Sequence, residues 1–214
     1  MNQTISYYDK NAEEFCRATK DADMSSCRDK FLRLLEQKNH IRIKESDKSK
    51  IHILDAGCGS GRDARAFLDA GYQVTALDAS RKICEEAEKL IKQEALCIRF
   101  EEVQFQQEFD GIWACASLLH VSYIEINGVL NRFWNALKED GIFYASFKYG
   151  KGMRNDKDRL FYDYEETALK NLMINNGFLV EDIFKTQDVR KSRENEQWIN
   201  VLAEKGALSI QEYN

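Results

Sequence analysis

Residues 53–61 read Ile53-Leu54-Asp55-Ala56-Gly57-Cys58-Gly59-Ser60-Gly61, an apolar run that ends in a carboxylate and passes directly into three glycines spaced two apart. The run over 51–56 predicts a buried strand, because short continuous apolar stretches bounded by glycine fit a sheet covered on both faces. Glycine in the turn lets the backbone approach a ligand closely. A helix follows over 62–70, with Ala64, Phe67 and Leu68 inward, and Gly71 closes it in the left-handed region. The spacing is G-x-G-x-G. A dinucleotide fingerprint would need glycine where Arg62 stands, and no G-K-[ST] follows for a P-loop, so neither reading holds.

Outward from this turn the alternation of short apolar runs and amphipathic segments continues, as in βα units of a parallel sheet. A second strand over 73–77 ends at Asp78, about twenty residues after the glycines, where a carboxylate can accept both hydroxyls of a ribose. Ser80 caps a helix carrying Ile83, Ala87, Leu90 and Ile91, and a third strand spans 96–100. The second half repeats the pattern: strand 111–116, a helix with Val129, Leu130, Phe133, Trp134 and Leu137, and strand 142–147. A charged loop covers 151–159, and Leu169, Leu172 and Met173 mark a helix ending at Gly177. Late strands at 178–184 and 198–203, joined by the polar segment 185–197, suit a hairpin-like antiparallel return. The prediction is an α/β, three-layer, doubly wound Rossmann-like sheet with its ligand at the carboxyl ends of the strands. Residues 1–45, with Ala12, Phe15, Cys27, Phe31, Leu34 and Leu35 at helical spacing, predict a helical lid on the domain formed by 46–214.

Composition narrows the function classes. The chain has 214 residues, 43% of them hydrophobic and 31% charged, which is one folded unit rather than a disordered segment. A net charge of −5 argues against capture by bare phosphate backbones, so nucleic acid is not an expected partner. No apolar run reaches the roughly 18 residues of a membrane span, and Met1–Thr4 lacks the start of a signal peptide, so a cytoplasmic monomer or homodimer with no membrane partner is expected. The cysteines (Cys16, Cys27, Cys58, Cys84, Cys97, Cys115) show no C-x-x-C and no ligand-spaced histidine, which predicts packed thiols and no metal. The chain has no proline, so boundaries rest on Gly, Asn and Asp.

With the glycine turn, Asp78 and the fourth- and fifth-strand stretches Phe109–His120 and Tyr144–Gly150 in hand, the sequence resembles the class I S-adenosylmethionine-dependent methyltransferases. The resemblance is strong over 51–148. Within that group it is similar to the small bacterial tellurite-resistance-type and generic small-molecule enzymes, which carry a segment like Tyr7-Tyr8-Asp9-Lys10-Asn11-Ala12. It implies a seven-stranded sheet ordered 3-2-1-4-5-7-6 with one antiparallel strand, S-adenosyl-L-methionine as cofactor with S-adenosyl-L-homocysteine as product, and a small-molecule methyl acceptor. It also implies roles. Asp55 and the backbone of Gly57, Cys58, Gly59 and Gly61 face the methionine part of the cofactor; Asp78 and Ala79 face the ribose; Phe100, Glu101 and Glu102 face the adenine; Ala114, Cys115 and Ser117 pass beneath the sulfonium. The family often has prolines where this chain has Arg81, Ser122 and Glu139 or Asp140; those stiffen turns rather than react.

Methyl transfer from a positive sulfur mainly needs alignment and desolvation, so a catalytic side chain is optional. His120 is placed either as a general base or as a histidine lining the cofactor or packing the loop. His40 and His52 read as structural. Tyr7 and Tyr8 either close over the cofactor through their aromatic faces or simply pack the helix. Lys148, Tyr149 and Trp198, with Arg154 and Asn200, are candidates to line an acceptor pocket. No basic residue within its strand lowers the pKa of Cys115, so a packed thiol is expected there. Two rivals remain: a non-catalytic S-adenosylmethionine-binding module, and a protein or RNA methyltransferase, which would need a basic surface that the sequence does not show.

Overall fold

The computed structural model describes residues 3–39, 45–190, 193 and 195–206. His40 lies outside the described residues. The elements in chain order are α1 (Gln3–Thr19), α2 (Ser25–Asn39), β1 (His52–Ala56), α3 (Arg62–Asp69), β2 (Gln73–Asp78), α4 (Arg81–Ile91), β3 (Ala95–Cys97), β4 (Phe109–Ala114), α5 (Ile126–Ala136), β5 (Leu137–Lys148), β6 (Gly152–Asp156), β7 (Arg159–Asp163), α6 (Glu166–Asn175), β8 (Phe178–Gln187) and β9 (Gln197–Lys205).

Seven strands form one sheet in the order β3-β2-β1-β4-β5-β9-β8. β9 runs antiparallel to both β5 and β8, and the remaining pairs are parallel. This is the expected order, with the two late strands taking the outer places. Order reverses between β1 and β4, which puts the crevice for a ligand beyond the carboxyl ends of β1, β2 and β4.

Alternate residues of the buried strands feed two cores. On one face Leu54, Ile112, Phe143 and Ala145 pack against Leu130 and Phe133 of α5 and Leu169 and Met173 of α6. On the other, Ile53, Ala76, Trp113 and Tyr144 meet Phe31 and Leu35 of α2, Phe67 of α3 and Ala87 of α4. Trp113 and Tyr144, on adjacent strands, stack with ring centroids 3.9 Å apart. Gly111 makes room for α2: a Cβ there would lie 2.6 Å from the Phe31 ring. α2 is therefore a layer of the sandwich whose first turn, at Ser26 and Cys27, also borders the crevice, and α1 packs on Ile83 of α4 through Ala12 and Cys16.

Three local readings differ from the structure. The third strand stops at Cys97, and a single 3-10 turn over Phe100–Glu102 follows, held by the Glu102 carboxylate accepting the Arg99 N–H at 2.8 Å. Leu137 is not helical: it opens β5 and pairs with Phe109, ahead of a register shift between Phe109 and Gly111. The charged loop over 151–159 is in large part a hairpin, β6–β7, turning on Lys157 and Asp158 at φ 52° and 66°. Two successive positive φ values match the twist of a tight hairpin, but Lys-Asp lacks the glycine that usually announces one. No described helix is long and apolar enough to cross a membrane.

Candidate functional site

One cleft lies above the carboxyl ends of β1, β2, β4 and β5, in two lobes that meet at Tyr8, Phe15, Gly57, Gly59, Ala116 and His120. The turn after β1 shapes the waist. Gly57 N–H and Cys58 N–H both donate to the Leu77 carbonyl, at 2.8 and 2.9 Å, which pins the turn onto the end of β2. Gly57 has φ +81°, and a Cβ there would sit 2.3 Å from Ser117 Cβ, so the turn after β4 closes directly on it. Ser117 in turn donates its hydroxyl to the Ala56 carbonyl at 2.7 Å.

The first lobe is lined by Asp78, Ala79, Arg99, Phe100, Glu101 and Ser117 among others. Asp78 Oδ2 accepts the Gly59 N–H at 3.2 Å and Oδ1 accepts the Ser80 N–H at 3.0 Å. Burial raises the Asp78 pKa to about 6, and the backbone N–H bonds from Ser80, Gly59 and Ala79 offset that only partly. Glu101 lines this lobe, whereas the Glu102 carboxylate is occupied by Arg99 N–H.

The second lobe takes in Asp55, Cys58, Arg62, Asp63, Cys115 and Lys148. Asp55 accepts Ala64 N–H at 3.0 Å, which satisfies a free donor in the first turn of α3, and burial followed by the charge of Asp63 pushes its pKa well up. Asp63 is held ionised against its burial by Arg62 and Arg28, at 2.5 and 2.6 Å, and also accepts Trp113 Nε1–H at 3.1 Å. Burial lifts the Cys115 thiol to about 12, so it is protonated and inert, as a packed thiol should be. Ala114 is fully buried beneath the waist; its neighbour Ala116, at φ 54°, reaches the cleft instead.

His120 and Tyr8 meet at the waist. The Leu160 carbonyl can only accept, so His120 Nδ1 carries the proton donated to it at 2.6 Å, and Nε2 accepts the Tyr8 hydroxyl at 2.9 Å. Burial lowers the His120 pKa to about 4 and raises that of Tyr8 to about 12, so both are neutral at pH 7. The only basic lone pair of His120 is thus engaged, and the ring reaches a bound molecule through Tyr8. The first half of α1 is tied over the cleft: Thr4 Oγ1 accepts Leu160 N–H at 3.2 Å, and Asp9 accepts the Ser80 hydroxyl at 2.6 Å.

Of the five acceptor-pocket candidates, Lys148, Trp198 and Asn200 line the second lobe and Tyr149 and Arg154 do not; the Tyr149 ring carries Lys185 Nζ at 3.7 Å from the centroid. Lys148 is buried, 3.0 Å from Asp188 and paired with Glu196, with its ammonium 3.8 Å from the Trp198 ring centroid. The sequence reading missed Phe15, Arg62, Arg159, Phe161, Asp188 and Arg190, all lining the cleft. Only Arg62 carried a local signal, as the first residue after the glycines. Among the described residues no three His, Cys, Asp or Glu side chains converge as metal ligands.

Residues 53–141 match a family model described as a methyltransferase domain. The malonyl-[acyl-carrier protein] O-methyltransferase of Acetivibrio thermocellus is 29% identical over 136 residues, 61% of this chain and 46% of that protein. A ubiquinone biosynthesis O-methyltransferase of Rickettsia prowazekii is 31% identical over 106 residues, 43% of this chain and 42% of that protein. The chain thus spans less than half the length of these curated relatives. Among solved structures, the 1,6-didemethyltoxoflavin-N1-methyltransferase of Burkholderia thailandensis, with S-adenosylhomocysteine bound, superposes with a TM-score of 0.69 at 20% identity over 95% of this chain and 88% of that one. The [4+2]-cyclase SpnF superposes equally, TM-score 0.69 at 17% identity, over 96% of this chain and 97% of that one. The match runs from β1 into β5, the part of the sheet that carries the glycine turn and Asp78.

Proposed function

We propose that this chain, built on that domain, is an S-adenosylmethionine-dependent methyltransferase acting on a small-molecule acceptor. The observation that carries the reading is Asp78: a half-buried carboxylate at the end of β2, lining the first lobe beside the glycine turn whose Gly59 N–H it accepts, fits the two adjacent hydroxyls of a ribose. Phe100 and Glu101 then border the adenine, and Asp55, Cys58 and Arg62 border the methionine end. The bound cofactor supplies a methyl group on a positively charged sulfur, open to in-line displacement. The faces of Tyr8 and Phe15, with ring centroids 5.0 Å apart at the waist, attract such a cation and exclude water from it. α1 acts as the lid that carries both rings, and the acceptor enters the second lobe, between Phe161 and Trp198.

Calorimetric titration with S-adenosylmethionine, S-adenosylhomocysteine and NAD tests this. Micromolar binding of the first two and none of NAD is expected; NAD binding, or no binding at all, would sink it. The fold alone does not decide turnover, since SpnF shares it, so acceptor-dependent release of S-adenosylhomocysteine separates an enzyme from a binding module.

The pKa of Asp78 sets a pH dependence. Ribose hydroxyls favour the ionised carboxylate, so affinity falls as pH drops through about 6, by up to about tenfold at one unit lower. In the unliganded protein the sign reverses: the folded state holds this proton more tightly than the unfolded chain does, so stability is lost as pH rises through about 6. Titrations between pH 5 and pH 8 check the first statement; affinity flat across that window would remove Asp78 from the ribose.

A further inference from the structure

Resting on the reading above, we propose that the methyl acceptor carries a carboxylate, held in the second lobe between Arg159 and Arg190. Four cations stand at the acceptor end of the cleft: Lys148, Arg159, Arg190 and Arg193. Their described carboxylate partners are three. Asp188 takes Lys148 at 3.0 Å and Arg190 in a bidentate pair at 2.8 and 2.6 Å; Glu196 takes Lys148 and, at 3.3 Å, Arg193; Asp156 takes Arg159 at 2.9 Å. One positive charge is left over among the described residues, and neutral His120 does not change the balance. The remaining lining acids are Asp23, Asp55 and Asp63: Asp63 pairs with Arg28 and Arg62, Asp23 faces the same two arginines, and Asp55 accepts Ala64 N–H with burial pushing its pKa well up toward the neutral form.

The surplus is localised. Arg159 is 7% exposed, with its guanidinium carbon 4.7 Å from the Tyr7 ring centroid and 5.1 Å from that of Phe161, a site built to keep a guanidinium out of water. Its one carboxylate partner, Asp156, is a residue of the β6–β7 hairpin that does not line the cleft and is a third exposed. The Arg159 guanidinium also lies against Tyr8, and Arg190 lines the same lobe. Two arginines from different elements thus line the lobe that opens from the waist.

Two further features select a carboxylate. A surplus of one charge matches a monoanion and leaves a dianionic phosphate half-compensated. The waist also offers no free base, because the Nε2 lone pair of His120 is taken by Tyr8, and a carboxylate needs no proton removed at pH 7. Phe161 and Trp198 supply flat apolar walls for the body of the molecule.

The test uses the protein saturated with S-adenosylhomocysteine, titrated calorimetrically with benzoate, benzyl alcohol, benzylamine and phenyl phosphate. Benzoate is expected to bind at least about tenfold more tightly than the alcohol and than phenyl phosphate, with no detectable binding of the amine. Arg159→Gln and Arg190→Gln should each bring benzoate down to the level of the alcohol while leaving S-adenosylhomocysteine affinity in place. Arg190, in the β8–β9 connection, keeps the test open if the buried Arg159 variant fails to fold. Benzoate binding no tighter than the alcohol, absent binding, tighter phenyl phosphate, or variants without effect would each overturn the proposal. Failure of S-adenosylhomocysteine itself to bind shows in the first titration and would strike the cofactor reading instead.

Discussion

Asp78→Ala is expected to weaken S-adenosylmethionine binding by ~1.5–3 kcal/mol, roughly 10–150-fold, because it removes two charge-assisted hydrogen bonds to one rigid diol. The same carboxylate accepts Gly59 N–H and Ser80 N–H, so the variant also frees two backbone donors at the end of β2. The loss therefore has two parts, one from the ribose and one from the turn. Asp78→Asn separates them: an amide keeps one acceptor oxygen and nearly the same shape, so binding falls between wild type and alanine while the turn is better preserved. Urea unfolding of the free proteins, run beside calorimetry, reads the turn by itself. An alanine variant that binds with wild-type affinity would show that Asp78 does not hold the ribose.

Gly57→Ala should be the most damaging single methyl group that can be added to the cleft. At φ +81° the residue sits where an L side chain costs about 1–2 kcal/mol. The new Cβ would lie 2.3 Å from Ser117 Cβ and 3.3 Å from the Phe100 ring, and neither neighbour is a flexible chain end. Ser117 is also tied to the Ala56 carbonyl, so relief requires moving the turn after β4, at a further cost of about 1–3 kcal/mol. The expected sum is about 2–5 kcal/mol of stability, with cofactor binding lost as well, since the residue walls both lobes. Urea denaturation gives the first quantity and calorimetry the second. Gly57→Ala within about 0.5 kcal/mol of wild type would mean that the approach of the two turns is looser than the geometry states.

The amino-acid sequence by itself determined the parallel sheet, the positions of its helices along the chain, and the glycine turn and Asp78 that border the cleft. Those features are local: a buried strand is a short apolar run, a covered helix repeats every three to four residues, and the ligand turn is written in consecutive glycines with a carboxylate one βα unit later. Asp55, Gly57, Gly59 and Asp78 are legible for that reason. The hairpin over β6 and β7 was hidden because its turn is Lys157-Asp158, and α2 was read with the lid because Phe31 and Leu35 show a helix's period but not the face it covers. Most of the second lobe was decided by tertiary structure. It is assembled from α1, the turn after β4, β5, the hairpin and the β8–β9 connection, so no segment contains its pattern. Charge state follows the same rule. Lys148, an acceptor-pocket candidate in sequence, is buried and paired in the fold, because its partner Asp188 lies 40 residues further on. Whether an ionised side chain faces a ligand or another side chain depends on long-range pairing in a low-dielectric interior, and only the closed sheet fixes which charges remain unmatched.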